Sequence, residues 1–192
     1  MKKIVFASHN KGKIKEVKAI LSEYEILSLA DIGFFDDIEE TGTTFEENSF
    51  IKAKAVYDFC HLPSLADDSG LCVDALGGAP GVYSARYAGE DGNDFKNRKL
   101  LLNNMRGEKN RRAKFVTAAT YIDENGAVTK AFGETHGSIL FEETGSNGFG
   151  YDCLFFSDDL KKSFGLATES EKDGVSHRAR AMKNLFDKLK NQ

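Results

Sequence analysis

The chain has 192 residues, 41% of them apolar and 29% charged, with only two prolines; this describes a globular protein with a sizeable core and no evident disordered tail. A net charge of -4 argues against a broad nucleic-acid-binding face, which needs a basic field to displace counterions, and leaves open only a local basic pocket. Cys60, Cys72 and Cys153 form no CxxC pair and cannot all pair with one another, so neither a disulfide framework nor a zinc site is expected, and they read as small buried residues.

The opening residues, MKKIVFASHN, hold too short an apolar run for a signal peptide, and no run approaches a membrane span; a cytoplasmic protein is expected. Ile4 to Ala7 reads as a buried strand, followed by Ser8, His9 and Asn10 as turn and cap. A helix then begins near Lys11, with Ile14, Val17, Ile20 and Leu21 on one face. Lys11 and Lys13 fall in its first turn, where the helix dipole disfavours cations unless an anion binds there. Ser8 to Lys13 is therefore either a phosphate cradle, built from backbone N–H groups, two polar side chains and two lysines, or a solvated basic turn.

Ile26 to Leu29 is a second strand, and Asp36, Asp37, Glu39 and Glu40 crowd ahead of Thr41-Gly42. Thr43 or Thr44, each with a glutamate three residues on, opens a helix through about Cys60 by a capping box. Its buried side is expected roughly along Phe45, Ile51, Ala55 and Phe59. Asn48 and Lys52 share another face, from which Lys52 reaches either a ligand or solvent. In Leu65 to Tyr87 an apolar approach meets the adjacent acids Asp67 and Asp68 and then a Gly-Ala-Pro turn. Neighbouring carboxylates repel and stabilise nothing without a cation or strong donors opposite them. The other reading is a turn in which one of them bonds the backbone of Ser69 and Gly70.

The polar segment AGEDGND leads into a helix with Leu100, Leu101, Leu102 and Met105, ending at Gly107,. After a charged loop from Glu108 to Arg112, Phe115 to Ile122 and Val128 to Phe132 read as a hairpin around Asn125-Gly126. Gly137 to Phe141 adds a short strand, which makes the sheet mixed. The glycine-rich GSNGFGYD at Gly145 to Asp152 does not match the dinucleotide fingerprint, and the chain has no P-loop motif,. Its glycines either let a flat ligand approach while Phe149 or Tyr151 stacks, or form a turn with two core aromatics. Cys153 to Phe156 continues as a strand. Ser176 caps a final helix with Met182, Leu185, Phe186 and Leu189 on one face, and His177 and Arg178 at its start need an anion or a carbonyl to meet them. No repeat or linker divides residues 1–192, which are expected to form one domain.

Basic helix starts together with acids that call for a divalent cation suggest a ligand with phosphates and a flat ring. The motifs SHNKGK at Ser8 to Lys13, EETGTTFEENSFIKA at Glu39 to Ala53 and ADDSGLCVDALGGAPGVYSARYAG at Ala66 to Gly89 follow one another along the chain. GFGYD at Gly148 to Asp152 and SHR at Ser176 to Arg178 complete the series. Together they resemble the inosine/xanthosine triphosphate pyrophosphatase family over nearly the whole chain. Members hydrolyse non-standard purine nucleoside triphosphates (ITP, dITP, XTP) to the monophosphate and pyrophosphate.

The resemblance implies an α/β fold, an elongated mixed sheet flanked by helices, with two lobes and an active-site cleft between them, in a homodimer. It implies Mg2+ held by Glu40 and Asp68, as an ion that keeps waters and takes one or two carboxylates plus phosphates would be. Asp68 is then the base that deprotonates a water for attack at the α-phosphorus, and Asp67 a structural or outer-shell acid. Lys13, Lys52 and the backbone of Ser8, His9, Asn10, Lys11 and Gly12 meet the phosphates, with Ser69 bringing backbone near the substrate. Phe149 stacks on the base, while Lys172, His177 and Arg178, with backbone at Gly150, Tyr151 and Asp152, meet a purine carrying oxygen at position 6. A donor such as Arg178 pairs with that oxygen but opposes the amino group of adenine. No nucleic-acid or membrane partner is expected. A pyrimidine-directed pyrophosphatase and a nucleotide sensor without turnover are the competing readings.

Overall fold

Ile4, Val5 and Phe6 are all fully buried, because the strand they form, β1 (Lys3–Phe6), is covered on both faces. In the computed structural model, which describes residues 2–89 and 92–191, β1 pairs in parallel with β2 (Glu25–Leu27) and β3 (Ser64–Val73). Glu90 and Asp91, inside the polar segment after Tyr87, lie outside the described residues. With β4 (Arg112–Ile122), β5 (Val128–Ile139), β6 (Phe155–Ser157) and β7 (Lys162–Ser163), the sheet has seven strands in the order β2-β1-β3-β4-β5-β6-β7. Since β6 is antiparallel to both β5 and β7, the sheet is mixed, and the fold is α/β. No helix among the described residues is long and apolar enough to cross a membrane.

The chain divides into two compact units, one of Met1–Asp68, Thr117–Gly133 and Arg178–Gln192, the other of Ser69–Val116 and Glu134–His177. In the first, the alternation of β1 sorts its side chains into two cores. Ile4 and Phe6 join Leu65 against Val17 of α1 (Lys11–Ile20) and against Met182 and Leu185 of α5 (His177–Lys190). Val5 and Ala7 join Ala66 against Ala53 and Val56 of α2 (Phe45–Cys60). Asn10 caps α1, its side chain accepting from the Lys13 N–H. Thr44 and Glu47 form a complete capping box on α2.

The buried face of α2 is not the apolar one expected. Asn48, Ser49, Lys52, Ala53 and Val56 are buried, whereas Phe59 is 52% exposed and meets Phe34 edge-on. The inward polar groups are satisfied in place: Ser49 Oγ lies 2.7 Å from Thr120 Oγ1, and Asn48 and Lys52 meet carboxylates described below. A search for apolar spacing misses a helix face that buries hydrogen-bonding groups.

In the second unit, Leu71, Val73, Leu154, Phe155 and Phe164 pack with Leu101 of α3 (Asp94–Asn104). Gly137 to Ile139 proves to be the end of the twelve-residue β5, not a separate strand. A side chain at Gly137 would overlap the backbone of Phe156, so glycine there permits the β5–β6 pairing. Cys153 and Leu154 lie in a 3-10 turn, and the strand starts only at Phe155. A short helix, α4 (Glu169–Val175), precedes α5, capped by Thr168 and Glu171. The three cysteines are unpaired and only half-buried, more exposed than their expected place in the core.

Candidate active site

Asp67 and Asp68 are neighbours on β3, so the pleat turns their side chains to opposite faces. Asp67 follows Leu65 toward α1 and α5, and Asp68 follows Ala66 toward α2. Two acids that would repel side by side are thereby given separate partners.

Asp67 is fully buried and takes three donors on one oxygen: Arg178 Nε at 3.1 Å, Arg178 Nη2 at 3.0 Å and Lys13 Nζ at 3.3 Å. The remaining guanidinium nitrogen, Nη1, bonds Glu16 on α1. Burial alone would push the Asp67 carboxyl up, but Lys13 and Arg178 outweigh it and hold Asp67 far below the usual carboxylate range. Burial pulls Lys13 down, offset in part by Asp67. Lys13, Glu16, Asp67 and Arg178 form a buried cluster in which two cations balance two anions.

On the other face, Asp68 Oδ2 accepts from Asn48 Nδ2 at 3.1 Å, and Oδ1 lies 3.7 Å from Lys52 Nζ. Lys52 Nζ is 2.5 Å from Glu40 Oε1, so Glu40 and Asp68 converge on one ammonium. Burial works against the charge of Lys52, but Asp68 and Glu40 outweigh it and keep it protonated. Burial raises the Asp68 carboxyl above its ordinary value, and Lys52 and Lys13 offset only part of that rise. The donor set suits a hard cation that binds oxygen. No group of three or more His, Cys, Asp and Glu side chains suited to a metal is found among the described residues, so an ion on Glu40 and Asp68 would complete its shell with water and ligand oxygens.

At the start of α1, Ser8 Oγ accepts from the Asn10 N–H at 3.1 Å and Asn10 Oδ1 from the Lys13 N–H at 3.0 Å. These two side chains therefore shape the turn and cap, which leaves the first-turn N–H groups of Lys11 and Gly12, without intrahelical acceptors, as the donors of the stretch. His9 Nε2 lies 3.4 Å from the Asp36 carbonyl.

In the second unit, Gly148 and Gly150 adopt left-handed φ values of 76° and 62°, and a side chain on Gly148 would overlap the Asp152 carboxylate. Asp152 Oδ2 accepts from the Phe149 N–H at 2.9 Å and from Lys172 Nζ at 2.5 Å. The Lys172 ammonium sits 4.7 Å from the centre of the Phe149 ring, a cation–π distance. Peptide atoms of Gly150 are held by α3: Asp94 Oδ2 accepts its N–H at 2.8 Å, and Arg98 Nη1 donates to its carbonyl at 3.1 Å. The two readings of this loop divide between its aromatics. Tyr151 is a buried core residue whose hydroxyl donates to the Ser84 carbonyl at 2.8 Å, while Phe149 is half-exposed. His177 is buried and stacks on Phe115 with centroids 4.7 Å apart. Ser69 is a half-exposed residue of β3.

Arg178 lies in the first turn of α5. Its side chain is 1% exposed and its guanidinium is engaged by Glu16 and Asp67 in the first unit, since a buried guanidinium needs anionic partners. The sequence alone offers no site role for Glu16, Asn48, Asp94, Arg98 or Phe115. Glu16 carried a readable signal, three residues after Lys13 on one helix surface. Asn48 carried another, one turn ahead of Lys52.

The first unit thus carries a buried charge cluster on each face of β3, and the second a glycine-aromatic loop, on an α/β fold. Residues 4–188 match the Ham1 family, and the chain belongs to that family. It is 46% identical over 200 residues to the dITP/XTP pyrophosphatase of Clostridium perfringens, covering 99% of this chain and 98% of that one. It is 47% identical over 193 residues to the enzyme of the same name from Haemophilus influenzae, covering 97% and 98%. Among solved structures, the Staphylococcus aureus Ham1 protein superposes with a TM-score of 0.88 at 39% identity, covering 99% of each chain.

Proposed function

We propose that this chain hydrolyses the non-standard purine nucleoside triphosphates ITP, dITP and XTP to the monophosphate and pyrophosphate. The observation that carries the reading is the convergence of Asp68 and Glu40 on one buried ammonium, in a chain whose relatives are named dITP/XTP pyrophosphatases.

Asp68 takes a proton from the water that attacks the α-phosphorus, and pyrophosphate leaves. Its raised proton affinity suits a general base better than an ordinary carboxylate would. Lys13, Lys52 and the N–H groups of Lys11 and Gly12 meet the phosphate oxygens where negative charge builds. Asp67 touches no substrate in this scheme; it holds Lys13 and is itself held by Arg178. Glu40 and Asp68 would hold Mg2+, which when bound supplies charge neutralisation on the phosphoryl oxygens. In the second unit, Phe149 offers a ring to the base, and Lys172 and His177 supply donors for an oxygen at position 6. Against adenine the same donors face an amino group and stay unpaired. The family resemblance supports a homodimer, and the net charge of -4 supports small-molecule substrates over nucleic acid.

A nucleotide panel with Mg2+ tests the substrate class. kcat/KM for dITP and XTP is expected to exceed that for dATP by about 10²-fold or more, as a pocket with unmatched polar groups imposes. Faster turnover of dTTP or UTP would favour the pyrimidine enzyme. Tight binding without turnover of any nucleotide would favour the sensor.

A further inference from the structure

Asn48 is completely buried on α2, and its amide makes two hydrogen bonds that lead to different acids. Oδ1 accepts from the Gly42 N–H at 2.8 Å, and Nδ2 donates to Asp68 Oδ2 at 3.1 Å. The orientation is dictated by chemistry: the Gly42 group that faces Asn48 is its N–H, so the amide oxygen must meet it, and the NH2 group then faces a carboxylate that accepts when ionised,. One end of the amide thus fixes the rotation of the Asp68 carboxylate, with Oδ1 turned toward Lys52. The other end ties down the loop two residues after Glu40.

Glycine at position 42 is part of the same device. A Cβ there would lie 2.6 Å from Asn48 Oδ1 and 2.6 Å from Glu47 Cβ, closer than side chains approach. The loop comes near enough to bond Asn48 only because it has no side chain at that point. Aspartate at position 48 could still accept from Gly42 but would set a second carboxylate against Asp68, and leucine, of similar size, could make neither bond.

We propose that Asn48 is a positioning residue that holds Glu40 and Asp68 in mutual register, with Gly42 as its obligatory partner; this rests on the reading of Asp68 as base and of Glu40 as its companion acid. Asn48 acts through those carboxylates and does not itself touch the substrate.

The test combines kinetics with a signal that needs no substrate. Asn48→Ala is expected to lower kcat for dITP by about 10- to 100-fold, the usual cost of removing a group that orients a ligand, with KM changed less than about threefold. Gly42→Ala attacks the same bridge from its other end and is expected to lower kcat in the same way, which keeps the question open to measurement if Asn48→Ala does not fold. In 15N–1H spectra of the substrate-free protein, the side-chain NH2 pair absent from Asn48→Ala identifies Asn48, and Asp68→Asn is expected to shift that pair. If Asn48→Ala and Gly42→Ala keep kcat within threefold of the parent while Asp68→Asn is inactive, the positioning role is overturned and the catalytic reading stands. An Asn48 NH2 pair unmoved by Asp68→Asn overturns it equally. Full activity in Asp68→Asn would instead sink the underlying assignment of the base.

Discussion

Asp68→Asn is expected to slow dITP hydrolysis by about 10²- to 10⁴-fold, the range a general base contributes, while dITP binding stays near that of the parent. The substitution changes one atom and keeps the volume. An amide oxygen can still accept from Asn48 Nδ2, now at 3.1 Å from Asp68 Oδ2, and Lys52 keeps Glu40 at 2.5 Å. No buried cation is therefore stranded, and the fold has no reason to fail. What disappears is the carboxylate's capacity to take a proton. Pyrophosphate release gives the rate, and equilibrium dialysis with dITP gives the binding. Loss of binding equal to the loss of rate would mean that Asp68 serves to hold the substrate.

Arg178→Ala is expected to act on stability first, lowering it by about 3–5 kcal/mol, the cost of leaving a buried charge without its partner. Asp67 is fully buried and receives two of the guanidinium nitrogens, and Glu16 receives the third. Lys13 alone, at 3.3 Å, cannot replace three donors. A loss of that size is a large part of the roughly 5–15 kcal/mol that holds a typical domain together, so it will show as a marked fall in the urea midpoint. Arg178→Lys restores the charge but not the planar fork and is expected to recover only part of it. The exposed Lys54–Asp58 pair on α2 is the control, since a solvent-screened pair of this kind contributes about 0.5 kcal/mol or less. Equal midpoints for Arg178→Ala and Lys54→Ala would contradict a buried four-charge cluster.

What could be read from the sequence was local. The caps at Asn10 and Thr44 and the turn at Asn125-Gly126 rest on residues a few positions apart, and their elements formed as expected. Helix α4 lacks an apolar stripe, so only the capping-box spacing of Thr168 and Glu171 marks it in the sequence. The division of labour between Asp67 and Asp68 depends on their sitting in a strand, where adjacent side chains diverge; read as the start of a turn, the pair has no such rule. The partners of Arg178 lie 111 and 162 positions away, beyond any periodicity. Lys52 illustrates the same limit: a lysine on a helix is usually solvated, and only the fold brings Glu40 and Asp68 to it.

The central claim is that water attacks the α-phosphorus. Hydrolysis of dITP in 18O-labelled water, followed by mass analysis of both products, tests it directly. The expected products are dIMP carrying one 18O atom and unlabelled pyrophosphate. Label in the pyrophosphate, or dIDP with inorganic phosphate in place of dIMP, would contradict it.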